Sequence, residues 1–350
     1  MDKKKKITWI AVFILLTVVT LYFVINGSDS FSLGGFISYI KRAHPGWITA
    51  AFVCMFIYIT LEAFSIRYLA AFFGYKKKRR QGLVYSAANL YFSAITPSAT
   101  GGQPASAVLM IKDGIPASVT MLTLLINITI YTVSIVILGF ICLVVKPGVI
   151  LGLNSFSKLL VILGFLVQIS CITVFLLLVY KERILFRIAT FFLKILHKLH
   201  IVKDIEANKD KLVEMSREYK SCVSSMKGHA NVIINVFLLN MCQRLAQIGV
   251  TVCVYIGVGG AAGRWLDVIA TQGYVILGSN AVPIPGGIGV ADYLFLEGFS
   301  RLVGDNIVSI ELLSRGISFY VCILICGGIL LVNHAAEIYK SNKNAGDNNG

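Results

Sequence analysis

Long uncharged runs alternate with short basic stretches along the whole chain, and that alternation predicts a series of membrane-crossing helices. Lys3 to Lys6 precede an uncharged run from Ile7 to Ile25. A run of that length crosses a bilayer, whereas a signal peptide has a shorter apolar core followed by a small-residue cleavage site. Further full crossings are predicted at about 47–74, 117–145, 157–180, 229–257 and 309–334. The second crossing ends in Lys76-Lys77-Lys78-Arg79-Arg80, and the fourth leads into a polar segment, 181–228, that is rich in Lys and Arg. Basic residues gather on the inner side of a membrane, so both clusters and both termini are placed in the cytoplasm. The fold class expected is an all-α polytopic membrane protein with about six full transmembrane helices.

Two stretches break the pattern. One runs from Gly82 to Asp113 and contains Thr96-Pro97-Ser98-Ala99-Thr100-Gly101-Gly102-Gln103-Pro104. The other runs from about Trp265 to Arg301 and contains Pro283-Ile284-Pro285-Gly286-Gly287-Ile288-Gly289. Of the 7 prolines in the chain, these stretches hold Pro97, Pro104, Pro283 and Pro285. Proline removes a backbone donor and glycine loosens the chain, so neither stretch continues as one helix. Broken backbone at membrane depth is tolerated where it is buried in protein or lines a wet cavity. The flanking charges have the first stretch enter and leave from the cytoplasm, and the crossing count has the second enter and leave from outside. Two re-entrant Pro/Gly-broken helical hairpins opening to opposite faces fit an inverted repeat, although no residue-level repeat is visible. Interrupted segments in corresponding positions point to a transporter's substrate site, against the plainer reading of kinks and turns with structural roles.

Composition agrees. Hydrophobic residues make up 57% of the chain, charged residues 14%, and mean hydropathy is +0.79. Soluble domains carry about 25% charge. The net charge of +15 sits at the ends of apolar runs, which reads as topology and attraction to anionic lipid rather than nucleic-acid binding. Residues 1–340 form one membrane domain, in which 181–228 is a cytoplasmic segment, and 341–350 is a polar tail expected to be disordered. Within that segment Arg183, Arg187, Lys194 and Lys198 fall on one helical stripe, with Leu185, Ile188, Phe192, Ile195 and Leu199 on another. Such a helix suits the membrane interface, and serves equally as a plain connector. The 8 cysteines show no CxxC pair and no metal-ligand spacing, so no metal and no cofactor is called for.

Ionisable residues inside apolar crossings are expensive and usually functional. Glu62 and Arg67 lie in the second crossing but five positions apart, off a common face. Arg244, beside Gln243, lies in the fifth, and Arg315 near the start of the sixth. Asp292, Glu297 and Arg301 follow the second interruption. An arginine fork suits a lipid phosphate, and a cationic head group would favour Glu62 or Asp292. Asn89 and Ser93 lead into the first interruption; Ser279 and Asn280 precede the second. The bland alternatives are ion pairs and hydrogen bonds between helices.

The segment Thr96 to Pro104 resembles the first signature of the transmembrane region of lysylphosphatidylglycerol synthases, the multiple peptide resistance factor family, and Pro283 to Val290 resembles the second. The resemblance extends over nearly the whole chain. It implies a lipid flippase that moves an aminoacylated phospholipid such as lysyl-phosphatidylglycerol to the outer leaflet, with resistance to cationic antimicrobial peptides as the consequence. The family's catalytic domain, which transfers lysine to phosphatidylglycerol, is not recognised here, and no catalytic residue is expected. Where many relatives carry Glu after the glycine pair and Arg soon after, this chain has Gln103, Ala105 and Ala107. Where they carry Glu after the second motif, it has Asp292. The head group is therefore open.

The substrate path expected comprises Glu62, Arg67, Asn89, Pro97, Gly101, Gly102, Gln103, Pro104, Arg244, Pro283, Pro285, Gly286, Gly287, Gly289 and Asp292. Expected partners are anionic or lysyl-modified membrane phospholipids, with a separate synthase and self-association left open, and no nucleic acid. The rival readings are an accessory subunit that docks a phosphatidylglycerol lysyltransferase, and a carrier of a polyprenyl-linked lipid.

Overall fold

The computed structural model describes residues 33–347 except 97–98, 182, 185, 189, 192–204, 283, 285–286, 288 and 304–306. The predicted crossing at 7–25, Pro97, Pro283, Pro285, Gly286 and most of the amphipathic stripe up to Leu199 lie outside the described residues. Among the described residues all regular structure is helical. The helices are α1 (Leu33–Arg42), α2 (Pro45–Phe72), α3 (Arg79–Ile95), α4 (Gly102–Lys112), α5 (Ala117–Val145), α6 (Pro147–Gly152) and α7 (Ser155–Tyr180). After these come α8 (Ile205–Ser225), α9 (Ala230–Gly257), α10 (Trp265–Ser279), α11 (Val290–Val303), α12 (Ile307–Arg315) and α13 (Cys322–Asp347). A π-helical segment, Gly316–Val321, joins α12 to α13 in one apolar run. The last helix reaches Asp347, so helical backbone extends past Ser341, where the sequence predicts the polar tail to start.

Among the described residues, five runs are long and apolar enough to cross a membrane: α2, α5, α7, α9 and Ile307–Glu337. They coincide with five of the six predicted crossings. A continuous helix satisfies every interior backbone donor and acceptor within itself, which lipid requires. Their ends are set locally. Pro45 opens α2, where its missing N–H is no loss, and the Asn154 side chain caps α7 by accepting from Ser157 N at 2.7 Å.

Helices α2 and α9 pack against each other over most of their length. His44 N donates to Gly257 O at 2.8 Å, Asn240 reaches Ser65, and Asn235 Nδ2 donates to the Tyr68 hydroxyl at 2.8 Å. Residue numbers rising on one helix and falling on the other make the pair antiparallel. Each of these central helices precedes a helix–break–helix hairpin. Hairpin 1 is α3–α4, and its two arms are in contact. Hairpin 2 is α10–α11, likewise paired.

The hairpins open toward opposite ends of α5. At the start of α5 the base of hairpin 1 is tied by Asp113, which accepts Gln81 Nε2 at 2.9 Å and Tyr85 Oη at 2.6 Å. Lys77 Nζ donates to the Asp113 carbonyl at 2.5 Å. At the far end of α5, Lys146 pairs with Asp267 at 3.0 Å, and Asn154 binds Glu297 and Tyr293, which ties the base of hairpin 2. Each hairpin is braced by the other half of the chain: α3 packs on α13, and α10 packs on α5 and α7. The closest brace is at Gly164, where an added Cβ would stand 2.0 Å from the Leu277 carbonyl oxygen, so only glycine lets α7 and α10 approach that far.

Candidate functional site

A layer of polar side chains crosses the bundle at the middle turns of α2, α5 and α9. Glu62 is ten residues from the nearer end of its helix, about 15 Å at the α-helical rise. Glu62 and Arg244 are each 1% exposed, and Asn127, Asn240 and Gln243 are equally buried. Glu62 Oε1 accepts from Asn89 Nδ2 at 2.7 Å and from Asn127 Nδ2 at 3.1 Å. Asn127 Oδ1 accepts in turn from Ser65 Oγ at 2.5 Å, and Asn240 Nδ2 donates to Ser65 Oγ at 3.2 Å. Four helices (α2, α3, α5 and α9) thus meet in one network.

Arg244 occupies the same layer without a carboxylate in salt-bridge contact. Its Nη1 donates to Gln247 Oε1 at 2.6 Å, and its guanidinium lies 4.1 Å from the Tyr131 ring centroid and 5.2 Å from that of Tyr58. Aromatic faces attract a desolvated cation, which offsets part of its burial. Nε and Nη2 of Arg244 and Oε2 of Glu62 have no hydrogen-bond partner. The Gln243 amide approaches Glu62 outside hydrogen-bond geometry, and both its polar atoms are unsatisfied. Buried unsatisfied groups cost about 1–3 kcal/mol each, more when charged, and this layer gathers several of them.

The break of hairpin 1 abuts this layer. Gly101 N donates to Thr96 Oγ1 at 2.8 Å, Ala99 takes a left-handed φ of 54°, and α4 starts at Gly102. An added Cβ at Gly102 would lie 2.4 Å from Asn89 O and 2.6 Å from Asn89 Oδ1. The first turn of α4 therefore rests on the side chain that holds Glu62. Gln103 Oε1 is buried and unpaired there, and Pro104 sits in the first turn, which needs no N–H from it.

The other sequence-predicted residues lie elsewhere. Arg67 is separated from the layer: its Nε donates to Lys77 O at 3.1 Å, and its stem lies across Gly82 at the base of hairpin 1. Gly287 and Gly289 hold φ of 64° and 81° in the second break. Asp292 Oδ2 accepts from Gly289 N at 2.8 Å, capping α11, while Oδ1 pairs with Arg315. Arg315, near the start of the sixth predicted crossing, thus has an interhelical partner. Asn127, Tyr131, Ser65 and Asn240 were not singled out by sequence reasoning. Asn127 had a usable signal, as the one amide side chain in the run 117–145. The others look like ordinary polar residues until the helices are packed.

Fold and layer together define a polytopic helical membrane protein with charged groups sealed at mid-bundle. The chain matches the family model described as the lysylphosphatidylglycerol synthase transmembrane region over residues 8–326, and it belongs to that family. It is a membrane protein of the lysylphosphatidylglycerol pathway. No curated protein matches it.

Proposed function

We propose that the protein is a flippase that carries a phospholipid head group between the leaflets of the cell membrane, with the ends bearing Lys76 to Arg80 and Lys340 in the cytoplasm. The observation that carries this reading is Arg244: a permanently charged fork at mid-height, with two donor atoms unused and aromatic faces around it. A guanidinium so placed suits a phosphate, which accepts two parallel hydrogen bonds from it. A lipid crossing the membrane needs such a station halfway, while its tails remain in lipid.

The hairpins supply the moving parts. Each is braced by helices of the other half, so rocking one half against the other opens the layer first toward one end of α5 and then toward the other. Family membership favours phosphatidylglycerol or its lysyl ester as the cargo.

The test is movement of labelled phosphatidylglycerol and of its lysyl ester in proteoliposomes, wild type against Arg244→Ala. Movement in the wild type and at least a tenfold loss in the variant is the expected result, and the preferred head group names the cargo. Absence of movement of either lipid by well-folded wild type overturns the reading. It would favour an accessory role for a separate synthase or a polyprenyl-linked cargo.

A further inference from the structure

The charge count of the midplane layer goes one step beyond a flippase, and rests on that reading. The charged and titratable groups facing Glu62 are few. Helix α9 presents Arg244, and α2 itself presents Tyr58. The Tyr131 ring of α5 lies against the guanidinium, and Cys322 of α13 lies beside Tyr58. Toward Glu62, α3 presents the neutral Asn89 amide and α5 the neutral Asn127 amide. Arg244 is charged at any accessible pH, so Glu62 is the one group of the layer able to change charge in the physiological range.

With Arg244 positive and Glu62 negative, the empty layer is neutral. If an anionic lipid phosphate occupies Arg244 while Glu62 stays ionised, the buried layer carries an uncompensated negative charge, which low dielectric penalises heavily. Protonation of Glu62 restores neutrality, and its free Oε2 is an open place for the proton. The two amides that hydrogen-bond Glu62, Asn89 and Asn127, both address Oε1, and the Gln243 amide beside it makes no hydrogen bond to break. By linkage, anion binding at Arg244 and proton binding at Glu62 favour each other.

We propose that the protein is a proton–phospholipid symporter, in which each lipid of one net negative charge crosses with one proton bound at Glu62. The proton comes from water on the loading side and returns to water on the release side, so the loaded and empty layers both cross neutral. A zwitterionic head group, with one phosphate for Arg244 and one ammonium for Glu62, leaves the layer neutral and moves without that proton.

The experiment uses the full chain in phosphatidylcholine proteoliposomes with labelled phosphatidylglycerol, an entrapped pH dye and a pH difference of about one unit. The lipid is expected to accumulate in the leaflet on the alkaline side by up to about tenfold, the limit for one proton per lipid, with matching proton flux. Glu62→Gln keeps the acceptor oxygen and mimics the protonated state, so no carboxyl remains there to exchange a proton with water. The variant should lose both the accumulation and the proton flux. Glu62→Asp keeps a titrating carboxyl and should retain coupling, which separates titration from folding damage. Phosphatidylethanolamine, with one phosphate and one ammonium, should move without proton flux. Lipid movement without accumulation or proton flux in the wild type overturns the symport while leaving the flippase standing. Equal proton flux with both lipids, or coupling that survives in Glu62→Gln, overturns the assignment to Glu62. No lipid movement at all overturns symport and flippase together.

Discussion

Hairpin 1 brings no charged side chain to its break. Through Asn89 it leans on Glu62 of α2, and the nearest cation in the layer, Arg244, keeps two donors unused. Hairpin 2 carries its own carboxylate: Asp292 caps α11 through Gly289 N and pairs with Arg315 at the entrance to the π-helical segment. The two hairpins share chain order, bracing and opposed orientation, yet one leaves its neighbouring charges unsatisfied and the other consumes them. A closed ion pair is inert toward a ligand unless it is broken. An unpaired guanidinium is available at once. Under the proposed flippase reading, cargo handling falls to the side of hairpin 1 and structural closure to that of hairpin 2.

The largest expected effect tests that closure. Asp292→Ala removes the carboxylate paired with Arg315 and is expected to cost about 3–5 kcal/mol, the usual penalty for breaking a buried pair. The double variant Asp292→Ala/Arg315→Ala should recover much of it, as read from thermal unfolding in detergent. If the double variant is no better than the single, the pair is not the unit that closes hairpin 2.

Next come the glycines of the two breaks. Gly102→Ala drives a Cβ into Asn89 O and Ser93 Oγ and should cost about 2–3 kcal/mol, near the upper range for overpacking. Gly289→Ala meets no atom within 4 Å and strains only its φ of 81°, so about 1 kcal/mol is expected. Equal losses in unfolding temperature would contradict the tighter seating of hairpin 1.

An effect smaller than that of Gly102→Ala is expected at Asn127. Asn127→Ala removes one of two donors to Glu62 Oε1 and the acceptor of Ser65, for about 1–2 kcal/mol. Lipid movement should fall more steeply than stability, because Glu62 loses its fixed position.

What was legible in the sequence follows from local physics. An apolar run as long as 117–145 has one stable conformation in lipid, and Pro and Gly at 96–104 and 283–289 interrupt helices wherever those helices sit. Five crossings and both interruptions were therefore readable before any packing was known, and so was the expense of Glu62 and Arg244 within apolar runs. Partner choice was not readable. Glu62 and Arg67 are close in sequence but point to different neighbours, one to Asn89 and Asn127, the other to the Lys77 carbonyl. Arg244 joins Glu62 only because α2 and α9 run antiparallel in register, and Arg315 finds Asp292 only because α11 folds back on α12. The sequence by itself determined where helix and break fall, since backbone hydrogen bonding and hydropathy act within a few turns. Only the tertiary structure decided which buried charges meet and which stay unpaired, because that depends on the rotation and register of helices far apart in the chain.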